Sequence, residues 1–96
     1  MKIIFLDGEK IDTIDDVHDV FAKELAFPSY YGRNLDALHD CLSTITEPTG
    51  VIIVNVPSFK KKIGRRAESF FCLMNDLTDE VEEFYLLVDP FNETRS

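Results

Sequence analysis

Three short runs of consecutive apolar residues divide this sequence, and two stretches with helical spacing separate each run from the next. The runs are Ile3 to Leu6, Val51 to Val56 with only Asn55 interrupting, and Phe84 to Val88. Unbroken apolar runs of this length suit strands buried on both faces, as in a parallel sheet. The order strand, helix, helix, strand, helix, helix, strand predicts an α/β fold. It implies a three-stranded parallel sheet with about four helices as crossovers.

The helical stretches carry their own punctuation. Asp7-Gly8 is a turn signal after the first run. Thr13 precedes Ile14, Val17, Phe21 and Leu25, spaced at three and four, with Asp15 and Asp16 where a helix dipole favours acids. Pro28 is expected to end that helix. Asn34 can cap a second helix, whose apolar stripe is Leu35, Leu38, Leu42 and Ile45. Pro48-Thr49-Gly50 breaks the chain before the second run. Pro57-Ser58 opens a short helix through Ile63, and Gly64 ends it. A last helix is expected from about Arg65 to Leu77, with Ala67, Phe70, Phe71, Met74 and Leu77 inward. A chain of 96 residues allows one domain, expected over residues 1–89, with 90–96 as a C-terminal tail.

Charge narrows the partners. Eighteen acids against ten bases give a net charge of −8. Half of the bases (Lys60, Lys61, Lys62, Arg65 and Arg66) fall within seven residues that hold no acid. The remaining surface is more acidic than the total suggests. It should repel nucleic acid and anionic membrane and attract a basic partner. The basic run itself reads as a solvated helix face, with phosphate binding as the competing reading. The first apolar run is too short for a signal peptide or a membrane span. Cys41 and Cys72 form no CxxC pair and read as buried, reduced thiols, in keeping with a cytoplasmic protein.

The second helix carries the residues of most interest. Placed at 100° steps, Asp36, His39, Asp40 and Ser43 lie opposite the leucine stripe. Asp36 and Asp40 are four apart, so like charges stack at a cost of a few tenths of a kcal/mol. The helix dipole accounts for Asp36 in the first turn; Asp40 gains little from it. A catalytic carboxyl would need burial or an apolar wall, and this face is open. A metal would need a fourth ligand beside Asp36, His39 and Asp40, and none is evident. No cofactor, metal or enzyme activity is expected. On the last helix, Leu73 lies roughly 100° from the core direction and Asp76 on the exposed side, a weak sign of a contact surface.

The segment from Lys23 to Leu42 is more specific than any of these features. Its core, Pro28-Ser29-Tyr30-Tyr31-Gly32-Arg33-Asn34-Leu35-Asp36-Ala37-Leu38-His39-Asp40-Cys41-Leu42, resembles the barstar family of intracellular ribonuclease inhibitors. Ala67-Glu68-Ser69 is similar to the start of that family's last helix. The resemblance implies a barstar-like α/β fold and a partner that is a basic, secreted ribonuclease. Direct nucleic-acid binding and membrane binding are not implied, and the free protein is expected to be a monomer.

The resemblance also implies an inhibitory surface. It would comprise Tyr30, Gly32, Asn34, Leu35, Asp36 and Asp40, with Leu73 and Asp76 across a groove; His39 and Ser43 share the same helix face. Asp40 would enter the ribonuclease active site in place of a substrate phosphate, Asp36 would add charge, and Tyr30 would cover the substrate cleft. The sequence departs from the family pattern in four places. His39 stands in place of a tryptophan, Ile45 in place of another aromatic, Arg33 in place of an acid, and Asp76 in place of a glutamate. The inhibitory mode is therefore firmer than the partner's identity. A protein of the same fold directed at a toxin that is not a ribonuclease is the alternative, and a nucleic-acid regulator using the basic run is a third.

Overall fold

The computed structural model describes residues 1–89. The elements run β1 (Lys2–Asp7), α1 (Ile14–Leu25), α2 (Leu35–Ser43), β2 (Thr49–Val54), α3 (Val56–Ile63), α4 (Arg65–Glu80) and β3 (Phe84–Val88). The three strands form one parallel sheet in the order β1-β2-β3. This is the expected α/β architecture, with four helices and the expected element order.

Local sequence explains where the elements start and stop. Thr13 and Asp16 form a reciprocal capping box at the start of α1: each side chain accepts from the other's backbone N–H. The helix ends at Ala26, in the left-handed region at φ 53°, two residues before Pro28. Asn34 caps α2 as expected, its side chain accepting from the Ala37 N–H at 2.7 Å.

Four readings need correction. The second strand is shifted towards its N-terminus: Thr49 and Gly50 pair with Lys2 and Ile3, and the strand stops at Val54. Asn55 leaves it in the left-handed region (φ 55°), donates to Asp7 Oδ1 at 2.7 Å, and hands Val56 to α3. The last helix runs one turn past Leu77 to Glu80, because no breaker intervenes. Ile45 lies beyond the end of α2, although it still packs against the core. Residues 90–96, read as a tail, lie outside the described residues.

The fourth correction concerns the sheet. Ile4, Leu6, Val51 and Ile53 are buried beneath the helices with Phe21, Leu38, Phe59, Phe70 and Met74. Their neighbours Ile3, Phe5, Tyr85 and Leu87 are exposed. The strands are therefore apolar on both faces but covered on one. Gly8, just after β1, sits against the Asn55 carbonyl and the Phe59 backbone, where a Cβ would collide. That close approach seats the start of α3 on the sheet.

Candidate protein-binding surface

The loop from Pro28 to Arg33 and helix α2 form one presented surface. The Tyr31 N–H donates to the Pro28 carbonyl at 3.0 Å, making a turn after α1. The two adjacent tyrosines then diverge. Tyr31 turns inward, packing on Phe27 with ring centroids 4.8 Å apart, and its hydroxyl lies 2.6 Å from His18 Nδ1. Tyr30 points away and is 87% exposed.

Burial pushes the Tyr31 hydroxyl up to about 12 and holds His18 below its ordinary value, with the Arg33 charge as a second, smaller influence on His18. His18 is itself buried. Tyr31 is thus the anchor and Tyr30 the exposed ring. Nothing in the sequence distinguished the two, because His18 is thirteen residues away.

Arg33 is the second anchor. It adopts the left-handed region (φ 54°), a strained choice for a residue with a Cβ, beside a glycine that does not. Its guanidinium donates to Asp19 Oδ1 at 2.7 Å and to the Asp15 carbonyl at 3.1 Å. The hydrogen bond that it donates to Asp19 is the main reason that Arg33 is held above its ordinary pKa. Arg33 thus neutralises acids on α1 and ties the loop to that helix.

Helix α2 holds Leu38 and Leu42 in the core and turns Asp36, Asp40 and Ser43 outward. The Asp40 side chain is 86% exposed, and its only ionic neighbour among the described residues is His39, at 3.9 Å. A groove of about 470 Å³ separates α2 from α4. Leu35, Asp36 and His39 line one wall, and Leu73 and Asp76 the other. The structure thus brings together the residues that sequence placed on separate helices. Asn34 lies at the head of α2 with Gly32 just before it, and both are exposed.

The groove also contains residues that sequence reading missed. Glu68, Ser69 and Cys72 extend its α4 wall, and Cys72 is exposed rather than buried as expected. Cys41 is half-buried. Glu80 reaches back from the last turn of α4 to His39, Oε1 to Nε2 at 2.7 Å. This hydrogen bond is the largest reason that His39 is held above its ordinary value; Asp40 and Asp76 add to it by charge. The signal was available, since Glu80 follows Asp76 by four residues on the same helix face. Ending the helix at Leu77 concealed it.

Among the described residues no group of three or more His, Cys, Asp and Glu could hold a metal ion. No helix among them is long and apolar enough to cross a membrane. In the basic run, Lys62 is drawn back to Asp12 at 3.2 Å and to the Glu9 carbonyl at 3.0 Å, while Lys60 sits 5.8 Å from the Phe71 ring centroid.

Fold and surface together define a class: a small α/β protein that presents a rigid acidic helix beside an exposed tyrosine, suited to contact another protein. Comparison with known sequences gives the family. The profile of the Barstar family, described as barnase inhibitor, matches residues 1–89. A Bacillus subtilis (strain 168) protein named "Putative ribonuclease inhibitor YrdF" is 32% identical over 91 residues, covering 93% of this chain and 100% of that protein. The chain belongs to the barstar family.

Proposed function

We propose that this protein is an intracellular inhibitor of a basic, secreted ribonuclease and that α2 plugs the enzyme's active site. The observation that carries this reading is the exposed, nearly unpaired Asp40 carboxylate, one turn above Asp36 on a capped helix. A carboxylate accepts paired hydrogen bonds from guanidinium groups as a phosphate does, so Asp40 can occupy a phosphate subsite. The helix holds it in place before contact, which lowers the entropy lost on binding. Asp36, Asp76 and Glu80 keep the surrounding potential negative and favour encounter with a basic enzyme. Tyr30, held out by its anchored neighbour, covers the adjoining substrate cleft. Gly32, Asn34, Leu35, Ser43 and Leu73 complete the contact.

His39 gives this surface a different character from a tryptophan-bearing one. Joined to Glu80, it closes one end of the groove with a titratable pair in place of an aromatic plate. The cognate enzyme should therefore differ at the position facing residue 39. The test is inhibition of purified basic ribonucleases by wild type, Asp40→Ala and Glu24→Ala. Glu24 is exposed in the last turn of α1 and serves as a charge-matched control. Asp15 is unsuitable as a control because it helps hold Arg33.

A further inference from the structure

Inhibition leaves the open side of the sheet unexplained. The strands are added in one direction, β1-β2-β3, so two right-handed crossovers carry all four helices to the same side. Parallel sheets are ordinarily covered on both faces. Here no described element covers the second face, and that face is apolar. Ile3 lies beside Gly50, and Gly50 beside Tyr85; in the next row Phe5 lies beside Ile52, and Ile52 beside Leu87. A side chain at Gly50 would crowd Ile3, whose side chain lies over the glycine together with Met1, so the central strand is covered there by apolar groups of its own sheet.

We propose that a second copy of this chain covers this face, sheet against sheet. Five large apolar side chains, Met1, Ile3, Phe5, Tyr85 and Leu87, are exposed on or beside it, from 47% at Ile3 to 67% at Met1. At roughly half exposure each of these large side chains, two of them aromatic, presents on the order of 100 Å², so the five together present about 500 Å², within the range of the largest apolar patch on a monomer. Two such faces bury about 1,000 Å² together, which reaches the lower bound for a specific protein interface.

The charge of −8 does not oppose this contact directly. Among the described residues, the strand positions on this face from Ile3 to Phe5, Gly50 to Ile52 and Tyr85 to Leu87 carry no charge; Asp7 and Asp89 follow at the C-terminal ends of β1 and β3. Stacking the two sheets with strands antiparallel keeps the acidic ends apart. Residues 90–96 are the other candidate cover, but they include a single large apolar residue, Phe91, against five exposed ones. The proposal departs from the free monomer expected from sequence. It leaves α2 and its groove open, because the helices lie on the far side of the sheet.

The experiment is sedimentation equilibrium of the full chain from about 1 μM to about 1 mM, the range in which an interface near the lower size bound associates. The weight-average mass should rise from 11.0 kDa towards twice that value. Leu87→Asp should weaken association by at least about tenfold, since it must bury an unpaired charge at a dry contact, with the like-charged Asp89 two residues on along β3. Tyr85→Ser, a milder change, should weaken it as well, and circular dichroism identifies which variant keeps the fold. A wild-type mass of 11.0 kDa throughout overturns the proposal, as does undiminished association in a folded variant. A monomeric wild type whose Phe91→Ala variant dimerises would assign the cover to the chain's own C-terminal residues instead.

Discussion

His39 Nε2 lies 2.7 Å from Glu80 Oε1, so a single hydrogen bond ties α2 to the last turn of α4 across the head of the acidic groove. Both groups are solvent-accessible, and the pair sits beside Asp40 and Asp76. Under the proposed inhibitory mode, this pair links proton uptake to partner binding.

The His39 pKa is raised, chiefly by Glu80, so the free protein holds a proton there at a higher pH than an isolated histidine would. A cationic active site opposes that proton. Affinity for the enzyme should therefore fall as pH drops from about 7.5 to 5.5, beyond any change in the enzyme itself. His39→Gln should flatten the dependence, and Glu80→Gln should move it to lower pH. Inhibition constants measured in parallel at several pH values check this. Equal slopes for wild type and His39→Gln would place residue 39 outside the contact.

His18 has the opposite sign. Burial lowers its pKa below the ordinary 6.5, so the unfolded chain takes up the proton first on acidification. Its contribution to stability is full above about pH 6.5 and is lost as pH falls through the depressed folded value. Asp15 and Asp19, which act to raise the pKa, moderate the effect. Urea unfolding of wild type should show stability declining below pH 6.5. His18→Phe should start from a lower stability at pH 7.5 and lack that component of the slope.

The anchor of the presenting loop should be separable from the ring it presents. Tyr31→Phe leaves the buried His18 Nδ1 without its partner and should cost about 1–3 kcal/mol in urea unfolding. Tyr30→Phe should leave stability unchanged, because Tyr30 is exposed. Tyr30→Ala should weaken inhibition while stability again holds. Equal destabilisation by Tyr30→Phe and Tyr31→Phe would contradict this division of labour.

The junction between β2 and α3 depends on a backbone conformation as well as a contact. Asn55→Gly removes the hydrogen bond to Asp7 but keeps easy access to positive φ. Asn55→Ala loses both and should be less stable than the glycine variant by about 1 kcal/mol. Thermal unfolding of the two variants side by side measures the difference.

The parts of this account that sequence revealed are those encoded locally. Thr13, Asn34 and Gly64 mark helix ends through their own side chains or the lack of one, and those ends fall where expected. The acidic face of α2 follows from a nine-residue helix with two buried leucines. What sequence hid depends on long-range geometry. The division of roles between Tyr30 and Tyr31 is set by His18 on another helix, and the pairing of His39 with Glu80 spans forty-one residues. Continuous apolar runs predict burial on both faces because sequence reports hydrophobicity, whereas crossover handedness decides which face the helices cover.

The central claim is that Asp40 substitutes for a phosphate in a cationic active site. Its most direct measurement is the inhibition constant of Asp40→Ala against a basic ribonuclease that the wild-type protein inhibits, with Glu24→Ala alongside. Removing one member of a buried charge pair leaves the other uncompensated, at about 3–5 kcal/mol, so Asp40→Ala should inhibit a hundredfold or more weakly. Its folding stability should hold or rise slightly, since the like charge above Asp36 is gone. Glu24→Ala should match wild type. An Asp40→Ala variant that is folded and inhibits as tightly as wild type would contradict the plugging mechanism.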